Sequence, residues 1–273
     1  DRAAILRRHQ LEAAVSAEGL DLVSEDELDA LRLVERGELV AQLLDAELVK
    51  EPAAEVDEGD LLAELAQRSR NLHPDEPGAD DDRSGISTIS EVIRVALAHD
   101  FRPQRTVQFI GYAAEEVGLF GSEDLAADYQ AAGTNVVAVL NQDMTGYHGS
   151  AEDMAMISDY TDPELTAFVV DLLETYQPGL TWTSDYCFYA CSDHAPWDDR
   201  GFRSSFAFEA RFDDSSPFIH TSGDTVASLG NSGAHAAKFA RLAAAFLVET
   251  TLDGDVMPFL DGFESSDTSR WSS

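Results

Sequence analysis

The chain has 273 residues, 44% of them hydrophobic, and a formal charge of −34 at pH 7. That length and apolar content accommodate one large α/β domain or two small ones, each with a real core. So negative a chain excludes a nucleic-acid partner, which demands a positive surface, and no apolar run is long enough for a membrane-spanning helix.

Lysine occurs only at Lys50 and Lys238, and such an acidic, lysine-poor surface suits saline surroundings or secretion. The chain opens on Asp1 with neither a methionine nor an apolar leader, as expected of a processed form or a fragment. Residues 1–70 are rich in Ala, Leu, Glu and Arg and contain no aromatic residue; the first in the chain is Phe101. Aromatic side chains supply much of a core's buried area, so 1–70 is expected to be an atypical, acidic, loosely packed helical segment. From 71 to about 250 the texture is that of an α/β domain. G-A-D-D-D-R-S-G (78–85) is a loop that enters a helix over about Ile86 to Ala98, with Ile86, Ile89, Val92, Ile93 and Ala96 on one face. A strand is expected at Thr106–Ala113, a helix at about Ser122–Ala132, and strands at Val136–Leu140 and Met154–Ile157. A helix begins behind Pro163 and runs to about Tyr176, a strand lies at Ser204–Glu209, and a last helix runs over roughly Ser232–Glu249. This alternation predicts a three-layer α/β/α fold with a largely parallel, mixed central sheet. Residues 251–273 are polar and turn-rich and read as a linker or tail.

The chain's centre of gravity is G-Y-A-A-E-E-V-G (111–118), which places Glu115 and Glu116 at the end of an expected strand. Strand ends are where open α/β sheets bind ligands. Neighbouring side chains point apart, so one glutamate can hold a metal while the other handles a proton; the plain alternative is a solvated acidic turn. Asp80–Asp82, Asp143 and His220 fall at comparable strand ends or loops. Carboxylates with an imidazole suit zinc, with manganese or cobalt as alternatives. Like charges gathered without a cation resist ionisation, and a pair of metal ions sharing one carboxylate would relieve that. Cys187 and Cys191 sit four apart; bridged, they would imply an oxidising compartment, and as free thiols they would imply nothing.

Five strings in order, G-A-D-D-D-x-S-G, Y-A-A-E-E-V-G, L-x-x-D-M-T, C-x-Y-A-C-S-D-H and I-H-T-x-x-D-T, resemble the secreted bacterial leucyl aminopeptidases with two co-catalytic zincs. The resemblance runs from about Pro77 to Val248 and implies a zinc-exopeptidase-like fold. It implies that Asp81 bridges two zinc ions, that Glu116 and His220 complete one site, and that Asp143 serves the other. Glu115 would be the general base, passing a proton from a metal-bound water to the leaving amine. Cys187 and Cys191 would be disulfide-bonded, in keeping with secretion. Met144, Ile157, Tyr189, Phe206, Phe208, Phe212 and Ile219 would form the pocket for a large apolar, Leu-like N-terminal side chain, with ordinary core packing as the alternative for each. Asp193 and His194 would support the site, and His9, His99, His148 and His235 are expected on the surface or on helix faces. The substrates implied are peptides with a free N-terminus and the expected state is a monomer, with no nucleic-acid or membrane partner.

One motif of the family has no counterpart. Its H-x-D strand end, upstream of the bridging aspartate, falls ungapped on Leu61, inside the helix-like run G-D-L-L-A-E-L-A-Q. His73, in H-P-D, is a substitute ligand, and Glu64 a second. Without one of them the second zinc is expected to be weak or absent, and residues 1–70 to be a replaced segment. Two rivals stand beside the aminopeptidase: a single-zinc glutaminyl cyclase of the same fold, and a non-catalytic remnant.

Overall fold

The computed structural model describes residues 79–80, 83–99 and 101–251. The expected N-terminal segment 1–70 and the tail from 252 onward lie outside these residues, as do Leu61, Glu64, His73 and Asp81.

Five α-helices and four strands make up the described chain: α1 (Ser84–Ala98), α2 (Phe120–Ala132), β1 (Val139–Asn141), β2 (Met154–Ile157), α3 (Pro163–Tyr176), β3 (Trp182–Asp185), α4 (His194–Asp199), β4 (Ser204–Phe208) and α5 (Ala236–Thr251). The strands lie in the order β1-β4-β2-β3. β1 pairs with β4 and β2 with β3 in parallel, whereas β2 and β4 run antiparallel. The sheet is therefore mixed and largely parallel.

Side-chain alternation assigns the two faces of this sheet. In the β2–β4 ladder Met156 stands opposite Ala207, and Ile157 opposite Phe206. Met154, Met156 and Ala207 enter one cluster with Val95 of α1, Val169, Leu172 and Leu173 of α3, and Phe239, Leu242, Ala245 and Val248 of α5. Each of the larger of these side chains, fully buried, contributes about 1.5–3 kcal/mol, so this face is the main core. Ile157, Phe206 and Phe208 point the other way, into a second cluster beneath the candidate site. The α4 residues His194 and Trp197 close that layer, the His194 ring lying 4.8 Å from Phe206 and the Trp197 ring 5.3 Å from Tyr129 of α2.

Local chemistry sets the element ends. The side chain of Asp162 caps α3, accepting the Leu165 N–H at 2.7 Å, and Pro163 occupies the first turn, where its missing N–H costs nothing. Gly133, at φ 63°, ends α2 in the left-handed conformation. Alanines at 237, 240, 243, 244 and 245 let α5 approach its neighbours closely. At the start of α1, Gly85 lies so close to the end of β1 that a Cβ there would stand 2.0 Å from the Gln142 carbonyl oxygen. That close approach fixes the loop carrying Asp143, and two hydrogen bonds reinforce it: Thr145 N–H to Ser84 Oγ at 2.8 Å, and Thr88 Oγ1 to Thr145 Oγ1 at 2.9 Å.

The expected strand Thr106–Ala113 is not one. Residues 106–112 join no ladder, and β1 is shorter than expected, beginning at Val139. A strand exists through its partner, and no described strand lies along this segment. Val107 and Phe109 nevertheless pack against the α1–α5 cluster beside Leu140, so the apolar pattern marks burial without pairing. β3 and α4 were not expected. β3 shows mostly polar, partly exposed side chains at the sheet edge, and α4 is six residues long.

Candidate active site

Glu115 and Glu116 sit in a hydrogen-bonded turn between the extended segment and α2. The N–H groups of Gly118 and Leu119 donate to the Glu115 carbonyl at 3.0 and 2.9 Å, and that of Gly121 to the Ala113 carbonyl at 3.0 Å. Gly121 is required here, because a Cβ would meet the Ala113 oxygen at 2.4 Å. The turn brings both glutamates, with Asp143 and Asp193, to one cavity of about 710 Å³ between residues 105–112 and β1. Its apolar wall includes Val107, Phe109, Val139, Phe246 and Leu247.

His220 reaches the same place from the loop after β4. Its Nε2 lies 3.0 Å from Glu116 Oε2. Asp143 Oδ2 accepts the Ser192 hydroxyl at 2.7 Å, and Ser192 Oγ in turn accepts Asn141 Nδ2–H at 2.9 Å, which orients the carboxylate from behind. The structure thus brings Glu115, Glu116, Asp143 and His220 into one region. Asp81 lies outside the described residues, as does the substitute His73. Among the described residues no three His, Cys, Asp or Glu side chains converge as a ready-made cation cage. The donor chemistry itself, carboxylate oxygen and imidazole nitrogen, fits zinc.

Backbone strain collects at this region. Among the described residues seven non-glycine residues have positive φ, including Ala114 beside Glu115, Met144 beside Asp143, Phe188 beside Tyr189, and His220 itself. Each such conformation costs an L-residue about 1–2 kcal/mol, and such outliers gather where side chains must be aimed.

The expected pocket residues form one group, with one exception. Met144, Ile157, Phe206 and Phe208 are buried together with Cys187, and Cys191, Phe212 and Ile219 pack on them. Tyr189 is 56% exposed and stands edge-on to Phe212 at 6.0 Å, at the rim. Partial desolvation, then the charges of Glu115 and Glu116, raise its phenol above the usual tyrosine range. Cys187 and Cys191 are bridged, with Cα atoms 6.0 Å apart.

The match to a known family decides where this arrangement belongs. The sequence signature described as Peptidase family M28 matches residues 65–246. The chain belongs to peptidase family M28. It is 41% identical to leucine aminopeptidase 1 of Fusarium vanettenii over 160 residues, 55% of this chain and 41% of that one. Against leucine aminopeptidase 1 of Coccidioides posadasii (strain C735) it is 41% identical over 183 residues, covering 63% and 46%. The chain thus spans less than half the length of these two M28 relatives. Among solved structures, the LapA aminopeptidase of Legionella pneumophila superposes with a TM-score of 0.62 at 25% identity, covering 87% of this chain and 78% of that one.

Asp193, expected to support the site, and three residues given no such role by the sequence, Asp159, Glu209 and His235, are held by buried or clamping contacts. Asp193 is buried and accepts the Ser122 hydroxyl; burial, with the nearby charge of Glu116, pushes its carboxyl up to about 6. Asp159 accepts the N–H groups of Cys187 and Phe188 at 3.0 and 2.5 Å, clamping the bridged loop. Glu209, fully buried, accepts the Tyr147 and Ser216 N–H groups and faces Asp80. His235, expected on a helix face, is in fact buried, its Nε2 hydrogen-bonded to the Glu209 carbonyl at 2.9 Å. A histidine in a run of alanines carries no sequence signal for that contact. His99 is exposed as expected, and His148 is exposed but stacks on His235 at 4.7 Å. His9 lies outside the described residues.

His194 gives a pH prediction. Its ring is fully buried, Nε2 contacts the Asp159 carbonyl at 3.3 Å, and Nδ1 has no hydrogen-bond partner. Burial lowers its pKa to about 4, and burial does the same for His235. The unfolded chain takes up these protons below about pH 6.5 and the native one only near 4, so both groups weaken the fold as pH falls through that window. His194→Phe keeps the ring volume against Phe206 and removes one titration. Its unfolding free energy, from urea titration, is expected to fall less than that of the natural chain between pH 6.5 and 4, by up to about 1.4 kcal/mol per pH unit; parallel curves would refute this.

Proposed function

We propose that this chain is a zinc-dependent aminopeptidase that removes large apolar, Leu-like residues from the free N-termini of peptides. The observation that carries the reading is the split duty of adjacent carboxylates: Glu116 meets His220 at 3.0 Å, while Glu115 faces the same cavity from the neighbouring position. The names of the matched relatives support it.

Glu116, His220 and Asp143 hold zinc in this reading, with Asp81 as the shared donor and His73 as the substitute for the missing histidine. Bound zinc supplies Lewis acidity toward the peptide carbonyl and toward water. Glu115 takes the proton of the attacking water and returns it to the leaving amine. Asp143 is held in orientation by Ser192. The first side chain enters at Tyr189, Phe212 and Ile219 and rests on Met144, Ile157, Phe206 and Phe208. The chain's charge of −34 draws in the positively charged terminus. The Cys187–Cys191 bridge supports an oxidising, extracellular destination, and the five shared motifs support descent alongside the secreted bacterial enzymes.

The test is hydrolysis of leucine p-nitroanilide by the purified chain. Turnover is expected to fall at least about tenfold with a chelator and to return with added zinc, since metal loading and activity are linked. Failure to turn over in zinc would overturn the reading. Release of ammonia from Gln-initiated peptides would then identify a cyclase, and a zinc content below about half an ion per chain would identify a remnant.

A further inference from the structure

The bridged loop Cys187–Cys191 presents two neighbouring aromatic rings with different surroundings. Tyr189 stands edge-on to Phe212, and the charges of Glu115 and Glu116 act on its phenol. Phe188, one residue earlier, is 86% exposed, the most exposed of the large apolar side chains described. Its backbone has φ 67°, a conformation that glycine adopts freely and a side chain with a Cβ does not. Three constraints hold it there: the disulfide closes the loop, and the Asp159 carboxylate accepts the N–H groups of both Cys187 and Phe188. The Phe188 ring stacks on that of Tyr186 at 5.8 Å with 27° between the planes, and Tyr186 is itself 48% exposed.

A two-ring platform is thus held beside the site in a strained conformation, with the Phe188 ring largely exposed and the Tyr186 ring about half exposed. The geometry points to Phe188, with Tyr186, as the specificity-determining surface for the part of the peptide beyond the bond that is cut. The occupant is the substrate itself, in its second residue. The inference rests on the aminopeptidase reading, and continuity with that site carries it. Tyr189 stands on Phe212 in the cluster whose Met144 and Ile219 adjoin Asp143 and His220 in the chain, and one residue of extended chain spans roughly 3.4 Å. The rim is therefore within a residue or two of the cut. The apolar cluster under Tyr189 is closed by Phe206, Phe208 and Ile157 and takes the first side chain. The remainder of the peptide has to leave across the exposed side, where two stacked rings offer an aromatic or large apolar second residue a flat partner.

The experiment compares kcat/KM for Leu-Phe-amide and Leu-Gly-amide in the natural chain, Phe188→Gly and Phe188→Trp. The ratio of the two substrates is expected to fall about threefold to tenfold in Phe188→Gly, chiefly through KM, and to be retained in Phe188→Trp. Glycine accepts the backbone conformation, so folding is not at stake. An unchanged ratio, or an equal loss on both substrates, overturns the assignment. Should the natural chain cleave neither amide, the aminopeptidase reading fails separately. Calorimetric titration with a reduced-bond Leu-Phe peptide then decides the platform alone: weaker binding by Phe188→Gly upholds it, and unchanged binding overturns it.

Discussion

Glu115→Gln is expected to lower the turnover of leucine p-nitroanilide by about 10²–10⁴-fold, the usual contribution of a general base, with little change in zinc content or melting temperature. Glutamine matches the shape of glutamate and still accepts a hydrogen bond, but it cannot take a proton from water at neutral pH. The turn does not depend on the side chain, because the Gly118 and Leu119 N–H groups are bonded to the Glu115 backbone carbonyl. Glu116→Gln supplies the contrast. It weakens the contact with His220, so zinc content is expected to drop together with activity. If Glu115→Gln kept more than about a tenth of the natural kcat/KM, the proton shuttle would have to be placed elsewhere. If it lost zinc as well, Glu115 would be a ligand. Metal analysis beside kinetics separates the two roles, which adjacent positions in the sequence leave undivided.

What the sequence made legible follows from how each feature is encoded. α3 was readable near its true bounds because its determinants are local: Pro163 at its start, the Asp162 cap before it, and Leu165, Val169, Leu172 and Leu173 along one face. β2 and β4 are buried on both faces; β2 shows it as the unbroken apolar run Met154–Ile157, and β4 as Phe206–Phe208 behind two small serines. The segment 106–112 has the same composition but lacks a partner among the described strands, and pairing is a long-range property that no local pattern contains. The site divides the same way. Residues whose type is chemically unusual for their place, Glu115, Glu116, Asp143 and His220, announced themselves. Ser192, Ser122 and Asp159 act through contacts made across 49, 71 and 28 residues of sequence, and their types are unremarkable anywhere in a loop. Asp80 stood out only as part of an aspartate triplet, and Glu209 only as the end of a strand.

Those two residues set the second large effect. Glu209 is fully buried at the end of β4; Oε2 accepts the Tyr147 N–H at 2.6 Å and Oε1 the Ser216 N–H at 3.1 Å. Its carboxyl faces that of Asp80, whose Oδ1 accepts the Gly146 N–H at 3.0 Å and whose own N–H is held by the Asp224 carboxylate at 3.1 Å. Two acids at this depth cannot both ionise. Burial, followed by the charge of Asp80, raises Glu209 to about 9, and burial raises Asp80 as well. Glu209 therefore keeps its proton in the native chain, which relieves the repulsion from Asp80 at the end of β4. Glu209→Ala leaves a lone buried carboxylate and two unpaired N–H groups, and is expected to destabilise the fold by about 3–5 kcal/mol. Glu209→Gln can still donate to Asp80 but has one acceptor oxygen for two N–H groups, which costs about 1–3 kcal/mol. The pH dependence distinguishes this account from simple loss of packing. The native chain keeps the Glu209 proton up to about pH 9, whereas the unfolded chain releases it near 4.5. This contribution is therefore complete below 4.5 and declines as pH rises toward 9, by up to about 1.4 kcal/mol per pH unit. It opposes the histidine effect below pH 6.5 and stands clear of it above. Calorimetric melting from pH 6.5 to 9 is expected to show the natural chain losing stability more steeply than Glu209→Gln, whose amide does not titrate. Curves that fall in parallel would mean that Glu209 is not held protonated in the native chain.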